Sequence, residues 1–229
     1  MESTNFMLET AGLGREFFAG RETVHALRNV SMRVPAGRLT ILRGPSGSGK
    51  TTLLNLLGAL DYPTTGTVIF DGKEITSSPE KERDALRRRS MGFVFQSLAL
   101  IAVMSAFENI DFALRIARYD ARERTRRAEE CLALVGLRKR MNHRPNELSG
   151  GEQQRVAIAR AIAHQPKVVF ADEPTAELDT HMGLAVMKVF RELVESSGIT
   201  IVMTTHDPNM MDLGDRVFAL EDGEIIDER

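Results

Sequence analysis

Eight residues constrain this chain more than any others: Gly44-Pro45-Ser46-Gly47-Ser48-Gly49-Lys50-Thr51, with the spacing G-x-x-x-x-G-K-[ST]. A triphosphate is a dense anion, and holding it takes many N–H donors at close range beside a helix N-terminus. Gly44, Gly47 and Gly49 let backbone approach without a Cβ. In such a loop Pro45, Ser46, Ser48 and Thr52 lend main-chain N–H or hydroxyl groups where they have them. The lysine, Lys50, reaches the β- and γ-phosphates, and the Thr51 hydroxyl holds Mg²⁺. The pattern demands a strand before it and a helix after it. Arg38 to Leu42 is an apolar run suited to a buried strand, and Thr51 to Leu57 is rich in good helix formers.

The other half of such a site is a carboxylate at the end of a buried strand. Val168-Val169-Phe170-Ala171-Asp172-Glu173 has that form. Four apolar residues suit a central parallel strand. Asp172 is then expected to hold Mg²⁺ through water beside Thr51, and Glu173 to polarise an attacking water as general base. An Asp-Glu pair alone reads as a solvated strand end, and it is the upstream loop that turns the reading toward chemistry.

With 229 residues the chain can bury one sizeable core. A formal net charge of -2 gives no reason to expect a nucleic-acid partner. The basic stretches Arg87 to Arg89 and Arg122 to Arg127 are interleaved with acids and read as solvated helix faces. The single cysteine, Cys131, falls on the apolar stripe of a helix with Ala128, Leu132 and Val135, where a buried inert thiol is expected. Met1 to Asn5 carries neither a basic nor an apolar leader segment, so no signal peptide is expected. The longest apolar run, Leu98 to Met104, is far short of the roughly 20 residues that span a bilayer. A soluble protein of the cytoplasm is the expectation.

Along the chain, the N-terminal stretch reads as short strands with turns, and Gly66 to Gly72 as a hairpin, which together suggest a small antiparallel layer. From about Ser105 to Gln165 the pattern is helical, and Ser105 with Glu108 forms a capping-box signature. After Pro166, strand and helix alternate through Val168–Asp172, His181–Glu195, Thr200–Thr204 and Val217–Leu220.

A second motif, Leu148-Ser149-Gly150-Gly151-Glu152-Gln153-Gln154-Arg155, ends a loop and opens a helix that runs through Ala163. It makes another anion-binding helix start, yet it lies about a hundred residues beyond the first loop. One nucleotide site within one chain does not explain it. With this motif the whole chain resembles the ATP-binding subunits of ABC transporters.

The resemblance implies an α/β fold: a phosphate-loop NTPase with a RecA-like parallel core, an N-terminal antiparallel β subdomain and an inserted α-helical subdomain. As one ABC ATPase domain, residues 1–97 and 166–229 would form the ATP-binding core with its β layer, and about 98–165 the helical subdomain. It further implies ATP and Mg²⁺ as ligands and ATP hydrolysis as the activity. Two copies would close head to tail on two ATP molecules. Ser149, Gly150 and Gly151 of one copy would then meet the γ-phosphate held by Lys50 of the other. Gln96, in Gly92-Phe93-Val94-Phe95-Gln96, matches the glutamine that binds Mg²⁺ and links to the membrane partner. His206 matches the histidine that senses the γ-phosphate, and Asp179 the aspartate at the dimer interface. Taken alone, His206 reads as a structural histidine and Gln96 as a surface amide. Phe17 falls where an adenine-stacking ring is expected, and Phe18 beside it is the rival.

An integral membrane permease is the implied partner, which places the chain on the cytoplasmic face of the cell membrane. Leu57-Gly58-Ala59-Leu60-Asp61, Gly92 to Gln96 and Pro145 to Gly151 look most like the lipoprotein-release, macrolide-export and cell-division group, LolD-, MacB- and FtsE-like. Three departures stand out: Glu177 where a small or amide residue is usual, Arg43 where an apolar one is common, and Ala102 where a proline is frequent. Leu98 to Met104 has two readings, as wall of the groove for a permease helix or as core of the helical subdomain. The alternative function is a soluble ABC-type ATPase acting on DNA or the ribosome. Such relatives carry two ATPase halves or an inserted coiled coil, and neither pattern is present.

Overall fold

The computed structural model describes residues 5–20 and 22–229; the Met1-to-Asn5 leader expectation falls largely outside them. The chain opens on two long antiparallel strands, β1 (Phe6–Ala19) and β2 (Glu22–Pro35). They replace the short strands expected from sequence. Register shifts between Phe6 and Glu16 absorb the irregular spacing that looked like strand breaks. Strand β3 (Leu39–Arg43) leads into the glycine loop and helix α1 (Lys50–Leu57). Then come β4 (Thr65–Phe70), β5 (Lys73–Glu74), α2 (Glu80–Ser90) and β6 (Met91–Val94). Three helices follow: α3 (Ala106–Ile116), α4 (Ala121–Leu134) and α5 (Gly150–Ile162). The chain closes through β7 (Val168–Ala171), α6 (Thr180–Ser197), β8 (Thr200–Thr205), α7 (Pro208–Met211), β9 (Arg216–Glu221) and β10 (Glu224–Glu228).

Two sheets result. One is antiparallel, in the order β2-β1-β4-β5; the other runs β10-β9-β3-β8-β7-β6 and is parallel except for β10. Strand β7 shows why the parallel sheet forms. Its four apolar residues are all buried, and successive side chains serve different cores. Val168 and Phe170 face the antiparallel layer and α1; Val169 and Ala171 face α5 and α6. The sheet is thus a wall between two cores. Gly92 lets α5 lie against β6, since a Cβ there would overlap the Ala161 carbonyl.

The helical stretch holds as expected. Ser105 and Glu108 form their capping box, and Glu108 is held below the usual carboxylate range, first by the Ser105 N–H. Cys131 is buried and its thiol is pushed up to about 11 by desolvation, an inert group. The arginine runs are laced with acids, as in Arg126 between Glu123 and Glu130, but they are only partly solvated. Arg87, Arg124 and Arg127 are largely buried and donate to the carbonyls of Ala59, Tyr119 and Ala163. Arg83, earlier on α2, is fully buried under the Tyr62 ring at 3.7 Å. Among the described residues no helix is long and apolar enough to cross a membrane.

Candidate active site

Parallel pairing gathers the loops that matter. The register sets Arg43 beside Thr205, Ala171 beside Met203, and Val94 beside Ala171. The glycine loop, Asp172-Glu173, His206 and Gln96 therefore all leave the carboxyl edge of one sheet, where α/β folds bind ligands.

The loop is clamped from two sides. A Cβ on Gly44 would overlap the Leu220 carbonyl, and one on Gly49 would stand 2.5 Å from the Ala26 carbonyl. Gly44, Gly47 and Gly49 take φ of 150°, 81° and 99°, conformations that favour glycine. Lys50 is buried, and its Nζ donates to the carbonyls of Gly44 and Pro45 at 2.8 and 2.9 Å. Its ammonium thus sits over the loop that the sequence assigned to phosphate. The Ser48 hydroxyl is buried with no protein partner. Pro45, Ser46 and Gly47 are exposed at the loop's crest, and Thr52 is half-buried in the first turn of α1. These residues fit a phosphate group: a glycine-led helix start, the unpartnered Ser48 hydroxyl and the Lys50 ammonium belong to one loop.

Thr51 Oγ1 donates to both Asp172 carboxylate oxygens, at 3.1 and 3.0 Å. Thr204 completes the arrangement. Its hydroxyl donates to Asp172 Oδ1 at 2.7 Å and accepts from the Glu173 N–H at 2.8 Å. Sequence reasoning passed over Thr204, whose role follows only from β7 and β8 being neighbours. A hydroxyl and a carboxylate at one strand edge suit a hard cation such as Mg²⁺. Gln96, Asp172 and Glu177 line one open depression of 350 Å³. Glu173 takes φ of 45°, a strained left-handed conformation for a side-chain-bearing residue. His206 Nδ1 stands 3.2 Å from Glu173 Oε2.

The remaining residues lie apart. Phe17 is half-exposed beneath the Arg15 guanidinium, 4.4 Å from its centroid, and pairs across the strand with Val24. Two residues beyond Val24, Ala26 touches Gly49, so the hairpin carries Phe17 toward the loop. Phe18 alternates to the other face and is 78% exposed. Arg43 meets Asp227 at 3.4 Å rather than pointing into the loop. Asp179 caps α6 by accepting from the Met182 N–H at 2.9 Å. Leu98 and Leu100 are half-buried against the helical core, as the core reading expects, while Ala99 lines an open groove.

Ser149 caps α5, with its hydroxyl accepting from the Glu152 N–H and the Glu152 carboxylate accepting from the Ser149 N–H. The latter bond is the first cause holding Glu152 below the ordinary carboxylate range. Ser149 and Gly150 are exposed, and a Cβ on Gly150 would meet nothing. The neighbours of this motif are Arg140 and Met182; those of the glycine loop are Ala26, Leu27 and Leu220. Within one chain the two motifs share no partner among these.

Residues 27–176 match the family model described as ABC transporter. The chain belongs to the ABC transporter family. It is 46% identical to an ABC transporter ATP-binding protein of Thermotoga maritima, over 96% of this chain and 93% of the relative. It is 43% identical to the macrolide export ATP-binding/permease protein MacB of Agrobacterium fabrum, over 99% of this chain but 35% of that longer protein. A solved structure is also similar: the ATP-binding cassette MJ0796 of Methanocaldococcus jannaschii, a dimer in a post-hydrolysis state bound to ADP and Pi. It matches with a TM-score of 0.90 at 40% identity, over 97% of this chain and 98% of that one. The chain is accordingly an ATP-hydrolysing subunit of an ABC transporter, of the MacB-like group.

Proposed function

We propose that two copies close head to tail, each glycine loop facing the partner's Ser149-Gly150-Gly151, and that the pair drives a membrane permease. The observation that carries this is the outward-facing α5 start, with Ser149 and Gly150 exposed and sharing no contact with the loop of its own chain. The dimeric cassette of the Methanocaldococcus relative supports it.

In this reading Lys50 and the loop N–H groups hold the β- and γ-phosphates, with Phe17 beneath adenine. Thr51 and Gln96 would bind Mg²⁺ directly and Asp172 through water, the ion supplying positive charge to the phosphate oxygens. Glu173 aligns the attacking water and takes its proton, while His206 orients Glu173 from 3.2 Å. The partner's α5 start adds N–H donors where negative charge develops, so catalysis is positioning plus electrostatics. Asp179 stands at the interface between copies. Hydrolysis cuts the link through the γ-phosphate and the pair opens.

The permease would dock in the groove of 430 Å³ lined by Leu60, Phe93, Phe95, Ala99 and Ile116, with Arg87 and Arg88 at its rim. Exposed Phe95 and Ile116 suit the apolar face of a short helix. MacB, in which a similar ATP-binding region is named together with a permease, supports a membrane partner. The chain then works peripherally at the cytoplasmic face.

The test is purification of the Glu173→Gln protein from native membranes with ATP and Mg²⁺, followed by mass identification of its companions. A multi-helix membrane protein is expected. Ile116→Asp should lose it while keeping its own melting temperature. A ribosomal or DNA-bound companion, with no membrane protein, would replace this reading.

A further inference from the structure

The start of α5 is held by contacts of its own segment: the Ser149–Glu152 capping box, the Arg140–Glu152 pair at 3.4 Å and the Gln153 side chain donating to the Leu148 carbonyl at 3.1 Å. Another contact comes from across the molecule. Gly151 is buried although Ser149 and Gly150 are exposed, and what covers it is Met182, whose Cε methyl occupies the space a side chain at 151 would fill. Met182 lies in the first turn of α6, and its N–H is the one Asp179 caps. The next residue, Gly183, packs against Met210 and Thr175, where a Cβ would come within 3.0 and 3.6 Å. Thr175 follows the Glu173 turn, and Met210 follows the His206 loop. One helical turn therefore touches both the hydrolytic edge of the chain and the α5 start that the chain presents outward.

We infer that Met182 is a positioning residue: its thioether sets the seat of Ser149-Gly150-Gly151 against α6, and so the aim of those N–H groups at the partner's nucleotide. This rests on the head-to-tail reading. A methionine suits the task, because its flexible side chain stays in contact while α6 shifts by a fraction of an ångström. Misplacement of donors by about 1 Å costs up to about a hundredfold in rate. The Met182 side chain meets Gly151 directly, and that contact is the route by which it would act on the partner's nucleotide.

The test uses a mixed pair of full chains carrying different affinity tags. One carries Lys50→Ala and supplies a working α5 start; the other carries Ser149→Arg and supplies a working loop. The pair holds one competent composite site. Met182→Ala placed in the Lys50→Ala chain should lower kcat about tenfold. Placed in the Ser149→Arg chain it should lower kcat no further. Met182→Leu, which keeps the bulk, should restore most of the rate in the first placement. Should Met182→Ala fail to fold, Met182→Thr, which also removes the thioether, is read in the same way. Equal losses in both placements, or none in either, would overturn the inference while leaving the head-to-tail pair intact. No turnover from the mixed pair before Met182 is changed would overturn both.

Discussion

The glycine loop and the start of α5 are both glycine-bearing helix N-termini, yet they are built in opposite ways. The loop is pinned: strands β2 and β9 press carbonyls against Gly44 and Gly49, and Lys50 is buried over it. The start of α5 is presented: Gly150 has open space around it, and the motif relies on its own cap and on Met182. One end is a finished cradle within the chain. The other needs something from outside to face. In the proposed head-to-tail pair, such a chain would bind its nucleotide alone and finish the chemistry only with its partner, which would make closure between copies the controllable step.

The largest effect that would sharpen this contrast is on Glu173. Glu173→Gln keeps shape and removes the base, so ATP binding should persist while kcat falls by roughly 10²-fold or more. Single-turnover kinetics and a nucleotide-binding titration together check it, and near-normal turnover would remove Glu173 from the role of base.

Next comes a paired substitution that asks whether pinned and presented glycines differ. Gly44→Val drives a side chain into the Leu220 carbonyl at a φ that disfavours it. It should cost about 3 kcal/mol or more, or roughly 10 °C in Tm. Gly150→Ala enters open space and should leave Tm within about 1 °C, while slowing hydrolysis if the N–H groups there meet a nucleotide. Equal thermal losses would erase the contrast.

The smallest effect is on the α5 cap. Ser149→Ala should cost about 1 kcal/mol, read as a shift of about 2–4 °C in Tm. Glu152 adds a pH signature. Its carboxyl lies below the ordinary range in the folded chain, so its stabilisation is complete above that range and fades as pH drops through the lowered value. Glu152→Gln should flatten that part of an acid unfolding curve, and an unchanged curve would deny the capping box any weight.

Much of this was legible in the sequence, for identifiable reasons. The glycine loop, the β7 run and the Ser105 cap are local patterns whose physics acts within a few residues, and each appears where expected. Three features were not legible. The β1–β2 hairpin looked like short pieces because its bulges interrupt the alternation that marks a strand. Thr204 became a partner of Asp172 only through the order of strands in the sheet, which no local period encodes. Met182 meets Gly151 across separate elements, a contact set by how α5 and α6 pack. The exposed Phe17 and Phe18 were ambiguous as a pair, and alternation along β1 separates them without showing which meets a base.

The most direct test of the central claim is sedimentation velocity of Glu173→Gln protein with and without ATP and Mg²⁺. The account predicts a monomer that becomes a two-copy species on adding ATP, and the loss of that species when Ser149→Arg is added to the same chain. A monomer throughout at saturating ATP, or a dimer indifferent to both ATP and Ser149→Arg, would contradict it.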